Sequence, residues 1–211
     1  MKTITILGAT GSVGTSTLDL VEREPDRFRV VALTANCDVA RLAAAAIRTR
    51  AELAVVADER CLADLRAALA GTGIRAGGGA DAIAEAASSG ADWTMGAIVG
   101  CAGLKPVMAA IEQGGTVVIA NKEPLVSAGD VILAAAARSG AVLLPADSEH
   151  NAIFQCFDSA RPEGVRRIIL TCSGGPFRDW TTERMRDVTL EQAVSIPTGR
   201  WARRSRSIPR R

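Results

Sequence analysis

Two carboxylates one residue apart, Asp147 and Glu149, lie in the run Ala146-Asp147-Ser148-Glu149-His150-Asn151. On a loop, such an i, i+2 pair can turn both side chains onto one hard cation such as Mg²⁺ or Mn²⁺, which prefers carboxylate oxygens. The same run also suits a plain helix start, with Asp147 or Ser148 as N-cap. His150 is the one histidine of the chain, and no Ser-His-Asp or Cys-His arrangement can be built around it. Asn121-Lys122-Glu123 groups an amide, a cation and an acid that could hold nicotinamide and substrate, or it is an ordinary N-cap at Asn121. Thr171-Cys172-Ser173-Gly174-Gly175-Pro176 offers free N–H groups for an anion nest that fits a phosphate, or a glycine–proline turn. The fourth group is Gly8-Ala9-Thr10-Gly11-Ser12-Val13-Gly14, with the spacing G-x-x-G-x-x-G. A tight turn that aims N–H groups at a pyrophosphate, at the positive end of a helix, needs glycines in this way.

These groups can act together only if elements carry them to one place. Short β-rich runs alternate with Ala/Leu-rich helical stretches, which predicts an α/β fold: a Rossmann-like parallel sheet with crossover helices. Strands are expected over 3–7, 29–34, 53–57, 94–99, 116–120 and 141–145, and an edge strand or turn over 71–79. Helices are expected after Gly14 up to Pro25, and over 39–48, 104–113, 125–139 and 151–157. The glycine turn, Asn121 and Asp147 then each follow a strand, at the carboxyl edge where ligands bind in such sheets. The second strand ends Leu33-Thr34-Ala35-Asn36 and lacks the acid that an NAD ribose usually meets. Asn36 joins the cofactor candidates there. Arg41 could meet a 2′-phosphate, which favours NADP, while Asp38 weighs against it. The expected domains are 1–150 for the dinucleotide, 151–195 with a strand over 166–171, and an Arg-rich tail over 196–211.

Composition bounds the function. The 211 residues are 48% apolar with a net charge of +2, ordinary for a soluble globular chain and too weakly basic to argue for nucleic acid or membrane partners. Five cysteines, none in C-x-x-C spacing, read as reduced thiols and not as a disulfide frame or zinc site. No apolar run reaches the roughly 18 residues of a membrane span. The N-terminus runs straight into a strand without a signal-peptide pattern, so the expected location is the cytoplasm.

Taken together, the segments ILGATGSVGTSTLDLV (6–21), FRVVAL (28–33), IVGCAGLKP (98–106), IANKEPLV (119–126), LLPADSEHNAIFQ (143–155) and LTCSGGPFR (170–178) resemble the 1-deoxy-D-xylulose 5-phosphate reductoisomerase family. The resemblance implies that Thr10, Gly11, Ser12 and Val13 hold NADPH with the aid of Asn121 and Glu123. It implies that Lys122, Ser148, Glu149 and Ser173 contact substrate, with Lys122 and Glu149 catalytic. Asp147 and Glu149 become ligands of Mg²⁺, Mn²⁺ or Co²⁺. The implied reaction isomerises 1-deoxy-D-xylulose 5-phosphate and reduces the product with NADPH to 2-C-methyl-D-erythritol 4-phosphate, and the implied assembly is a homodimer. Cys37 and Asp38 stand where the family usually has a basic or polar residue and an asparagine.

After Ala193-Val194 the family carries a segment like H-P-N-W-S-M-G, whereas this chain reads Ser195-Ile196-Pro197-Thr198-Gly199-Arg200-Trp201. Read from the last base of the Ser195 codon, the following codons permit His-Pro-Asn-Trp, and Trp201 gives Met-Gly. The tail is therefore expected to be a frameshift product, with a second domain cut short and activity weak or absent; an Arg-rich nucleic-acid tail is the competing view. Two other functions compete with the reductoisomerase. One is a non-catalytic NADPH-binding remnant. The other is a different Rossmann oxidoreductase, such as a semialdehyde dehydrogenase, which would need a cysteine–histidine pair that neither Cys101 nor Cys156 has.

Overall fold

In the computed structural model the described residues are 1–169 and 176–194. Ser173, most of the expected anion nest, and the tail over 196–211 lie outside them. The chain forms two compact units, Met1–Phe157 and Asp158–Arg211, so the helix that follows Asp147 belongs with the sheet and not with what comes after residue 150.

The first unit is built on seven parallel strands: β1 (Lys2–Leu7), β2 (Phe28–Ala35), β3 (Leu53–Val56), β4 (Arg75–Gly78), β5 (Trp93–Gly96), β6 (Thr116–Ile119) and β7 (Val142–Pro145). They lie in the order β4-β3-β2-β1-β5-β6-β7. The stretch over 71–79 resolves into an edge strand, β4, paired only with β3. The central strand β1 is buried from Ile4 to Leu7, as expected of a strand covered on both faces. Ile4 and Ile6 enter one core with Leu18, Val21, Leu33 and Leu42, while Leu7 enters the other with Val107, Ile111, Val117 and Ile132. That split follows from the two-residue period of a strand. Between β1 and β2 the register jumps from Ile4–Val30 to Thr5–Ala32. The extra residue, Val31, is why Val30 and Leu33 share one core despite their odd spacing.

The helices α1 (Ser12–Arg23), α2 (Val39–Thr49), α3 (Leu62–Ala68), α4 (Ala80–Ala87), α5 (Leu104–Ile111), α6 (Glu123–Ser139) and α7 (Ser148–Cys156) alternate with the strands. Helix α1 buries Gly14, Thr17, Leu18 and Val21, one stripe at helical spacing, and Pro25 follows its end. Helix α6 is broken at Ala128, where φ is −147° and ψ 33°, and ends on a left-handed Gly140. Strand order reverses at β1, whose neighbours are β2 and β5. The crevice at that reversal, beyond the carboxyl ends of the strands, is where open α/β sheets take ligands. Among the described residues no helix is long and apolar enough to cross a membrane.

The second unit contributes a short turn at Pro162–Gly164 and the helix α8 (Leu190–Val194). Thr189 and Gln192 cap that helix reciprocally: the Gln192 N–H donates to Thr189 Oγ1 at 3.3 Å and the Thr189 N–H to Gln192 Oε1 at 2.9 Å. Phe177 meets Trp180 edge to face at 5.1 Å. The strand expected over 166–171 is not formed by residues 166–169, and the rest of that range is not described. Ile168 and Ile169 have the right side chains for a strand but stand exposed, and a strand without a neighbour to share its hydrogen bonds is not stable.

Candidate active site

The glycine turn begins where β1 ends. Gly8 has φ +85°, and a Cβ there would lie 2.6 Å from the Ala97 carbonyl oxygen on the loop after β5. A Cβ on Gly14 would lie 2.2 Å from the Gly8 carbonyl oxygen, so α1 can approach the turn only because residue 14 has no side chain. Thr34 Oγ1 accepts the Gly8 N–H at 3.0 Å, and the Thr34 carbonyl accepts the Ala9 N–H at 2.7 Å, tying the turn to β2. Gly11 is the N-cap of α1 and brings no capping side chain. The hydroxyls of Thr15, Ser16 and Thr17 instead donate back to the carbonyls of Gly11, Ser12 and Val13. The positive end of α1 is therefore uncovered by its own side chains, which is what a pyrophosphate requires. Thr10 is half-buried in the turn, and Gly11, Ser12 and Val13 are exposed on it. These residues fit the pyrophosphate of a dinucleotide.

Asn36 stands exposed at the end of β2, its carbonyl accepting the Asp58 N–H at 3.0 Å. Asp38 caps α2 by accepting the Arg41 N–H at 3.1 Å, and its carboxylate is 3.7 Å from the Arg41 guanidinium. Arg41 also donates to Thr15 Oγ1 at 3.1 Å. Arg41 thus stands over α1 beside a groove of about 300 Å³ that Thr10 and Thr15 help to line. Asp38, which counted against a phosphate at this end, is occupied in holding the helix start and its arginine.

Past β6, the N-cap of α6 is Lys122, whose side chain makes no capping bond, so Asn121 does not fill the capping role its type suggested. Its amide nitrogen donates to the Gly100 carbonyl at 3.4 Å, while its buried Oδ1 has no partner among the described residues. A buried acceptor left unpaired costs about 1–3 kcal/mol, and a ligand N–H would remove that cost. Glu123 is half-buried in the first turn of α6.

Strands β6 and β7 are neighbours, and their parallel pairing from Thr116–Val142 to Ile119–Pro145 sets the loops that follow them side by side. Lys122 and Glu149, distant in the chain, therefore meet: Nζ is 3.0 Å from Glu149 Oε2 and 3.7 Å from Asp147 Oδ2. Ser148 Oγ donates to the same Glu149 oxygen at 3.1 Å. The Lys122 bond is the first cause that holds the Glu149 carboxyl below its ordinary range, helped by the backbone and by Ser148, and the same bond raises the Lys122 ammonium. Asp147 is only 8% exposed. It caps α7, accepting the His150 N–H at 3.4 Å, as the helix-start reading of this run expects, and Glu149 stands in the first turn of that helix. The His150 ring reaches the Asp147 carboxylate, with Nδ1 at 2.7 Å and 2.9 Å from its two oxygens. Sequence reasoning set His150 aside because no Ser-His-Asp or Cys-His arrangement can be built around it; its i, i+3 position from Asp147 on a capped helix start was the available signal.

The cluster supplies two hard oxygen donors beside a cation. That donor chemistry suits Mg²⁺ or Mn²⁺, with the remaining positions left to water or a ligand. Among the described residues there is no group of three or more His, Cys, Asp or Glu side chains that could hold a metal ion.

A family model described as 1-deoxy-D-xylulose 5-phosphate reductoisomerase matches residues 4–129, and the model of that enzyme's C-terminal domain matches residues 143–204. The chain is 58% identical to the Zymomonas mobilis reductoisomerase over 93% of its own length and 50% of that protein. It is 55% identical to the Rhodospirillum centenum protein over 93% of its length and 49% of that protein. The chain thus spans about half the length of the curated relatives it matches. The Zymomonas mobilis enzyme solved in complex with NADPH superposes with a TM-score of 0.81 over 92% of this chain and 51% of that one. A reductoisomerase solved with NADPH, fosmidomycin and magnesium is 35% identical, with a TM-score of 0.78 over 94% of this chain and 52% of that one. With the glycine turn, the sheet and the carboxylate cluster all inside these matches, the chain belongs to the 1-deoxy-D-xylulose 5-phosphate reductoisomerase family.

Proposed function

We propose that this chain binds NADPH in the crevice beside β1 and carries part of the site that converts 1-deoxy-D-xylulose 5-phosphate to 2-C-methyl-D-erythritol 4-phosphate with a divalent cation. The observation that supports this most is the Lys122–Glu149–Asp147 cluster, set on the same sheet edge as the glycine turn. Thr10, Gly11, Ser12 and Val13 take the pyrophosphate. Asn36 and Arg41 take the adenosine ribose and its 2′-phosphate. Asn121, with Glu123 beside it, offers an acceptor suited to a carboxamide N–H of the nicotinamide.

A divalent cation held by Asp147 and Glu149 would supply Lewis-acid polarisation of the substrate's oxygens. The protonated Lys122 puts a positive charge where negative charge develops on those oxygens. Its bond to Glu149 keeps that carboxylate ionised and aimed. Ser148 adds a polar contact to the phosphosugar; Ser173, which the resemblance implies as another, lies outside the described residues. The homodimer and the cytoplasmic location belong to the same reading and rest on family membership.

Fluorescence titration with NADPH and NADH, followed by a spectroscopic assay of NADPH oxidation with 1-deoxy-D-xylulose 5-phosphate and Mg²⁺, tests the proposal. The expected result is saturable binding with NADPH preferred by about tenfold or more, a free-energy difference of about 1.4 kcal/mol. Arg41→Ala removes most of that preference. Binding without substrate-dependent oxidation would confine this chain to cofactor binding, and no NADPH binding would overturn the reading.

A further inference from the structure

We infer that His150 is a positioning residue, which holds the Asp147 carboxylate in the one orientation that can serve a divalent cation. The inference rests on the reading of Asp147 and Glu149 as ligands. The two carboxylates are unlike. Glu149 is partly exposed and bonded to flexible or exposed groups, Lys122 and Ser148, whereas Asp147 is 8% exposed. A buried carboxylate is costly unless its oxygens are hydrogen-bonded. Lys122 is 3.7 Å away, too far for a good hydrogen bond.

The close partner is His150. An ionised carboxylate only accepts, so the ring nitrogen at 2.7 Å and 2.9 Å carries the proton and donates, leaving Nε2 on the other side of the ring. The backbone N–H of the same residue approaches Asp147 Oδ2 at 3.4 Å. One residue thus grips the carboxylate through its ring and its backbone, and the start of α7 sets both. Carboxylates that ligate metals are held by such outer partners, and losing the partner costs about 10–100-fold in metal affinity. The ring is half-exposed and α7 buries none of its residues, so a change at position 150 removes the grip without opening a core.

Mn²⁺ binding to the full chain, measured by electron paramagnetic resonance, separates the cases. Asp147→Asn tests the ligand reading, and His150→Phe tests the grip. His150→Asn places an amide N–H near the position of Nδ1, whereas His150→Gln places it nearer that of Nε2. The expected pattern is a loss of tenfold or more in Mn²⁺ affinity for Phe and Gln, with Asn restoring most of it, while Phe, which leaves the buried carboxylate short of a partner, also unfolds a few degrees below wild type. If Asp147→Asn weakens Mn²⁺ binding while His150→Phe leaves it unchanged, the positioning role is overturned and the ligand reading stands. Equal losses for Asn and Gln also overturn it. If Asp147→Asn has no effect, or the chain does not bind Mn²⁺, the ligand reading fails and the inference falls with it.

Discussion

Glycine 14 and asparagine 121 sit at the two ends of the proposed cofactor site, and each exposes a different physical demand. A methyl group at position 14 would stand 2.2 Å from the Gly8 carbonyl oxygen and 2.7 Å from the Ala9 Cα. Both are backbone atoms, so the turn or α1 has to move. Gly14→Ala is expected to lower the thermal midpoint and to weaken NADPH binding by tenfold or more; unchanged binding would mean that the turn does not set the pyrophosphate N–H groups. Asn121 poses the opposite case. In the free chain its orphaned Oδ1 is a cost and its amide bond to the Gly100 carbonyl a gain of similar size, so Asn121→Ala is expected to leave the melting temperature within about 2 °C while NADPH affinity falls roughly tenfold, or 1.4 kcal/mol. A matching fall in stability would make Asn121 structural. Gly14 was legible in the sequence because a strand, a turn and a helix surround it. The orphaned oxygen was not, since side-chain satisfaction depends on the Gly100 loop, which arrives from another crossover.

At the scale of elements, adjacency explains what the sequence left open. The runs around Lys122 and Asp147 could each be placed after a strand from the sequence. That they meet is a property of the β6–β7 pairing, which no local pattern states. The opposite edge of the sheet has a comparable tie. Asp92, just before β5, accepts the Thr3 N–H at 2.7 Å and its hydroxyl at 2.8 Å, and the Asp92 N–H returns a bond to Thr3 Oγ1 at 2.8 Å. The Thr3 N–H is the first cause that holds the Asp92 carboxyl below its ordinary value of 3.8, followed by the Thr3 hydroxyl. A carboxyl depressed in the folded state adds stability that is complete above its unfolded value and is lost as pH falls through the folded one. Asp92→Asn is therefore expected to be less stable than wild type at neutral pH. The gap closes as the pH drops below about 4, where wild type loses this contribution and the variant has none to lose. Parallel denaturation curves at pH 7 and pH 3 measure it; a gap independent of pH would mean that the ionised carboxylate is not what ties β1 to β5.

Across the whole molecule, the apolar core is concentrated in the first unit. Among the described residues every buried hydrophobic side chain lies between Ile4 and Ala136, nearly all of them in three packed clusters. All seven strands and the residues from Gly8 to His150 that build the candidate site belong to Met1–Phe157. Since burial of apolar surface is the dominant favourable contribution to folding, the stability of this unit follows from its own residues. A fragment of residues 1–157 is expected to unfold cooperatively within about 3 °C of the full chain, a displacement near 1 kcal/mol for a domain of this size. It should bind NADPH within about threefold of the full chain, roughly 0.7 kcal/mol. Calorimetry and the NADPH titration check the two halves of this expectation separately. A fragment that folds but loses NADPH would place part of the cofactor site beyond Phe157, and one that fails to fold would show that the sheet's cores do not suffice without the second unit.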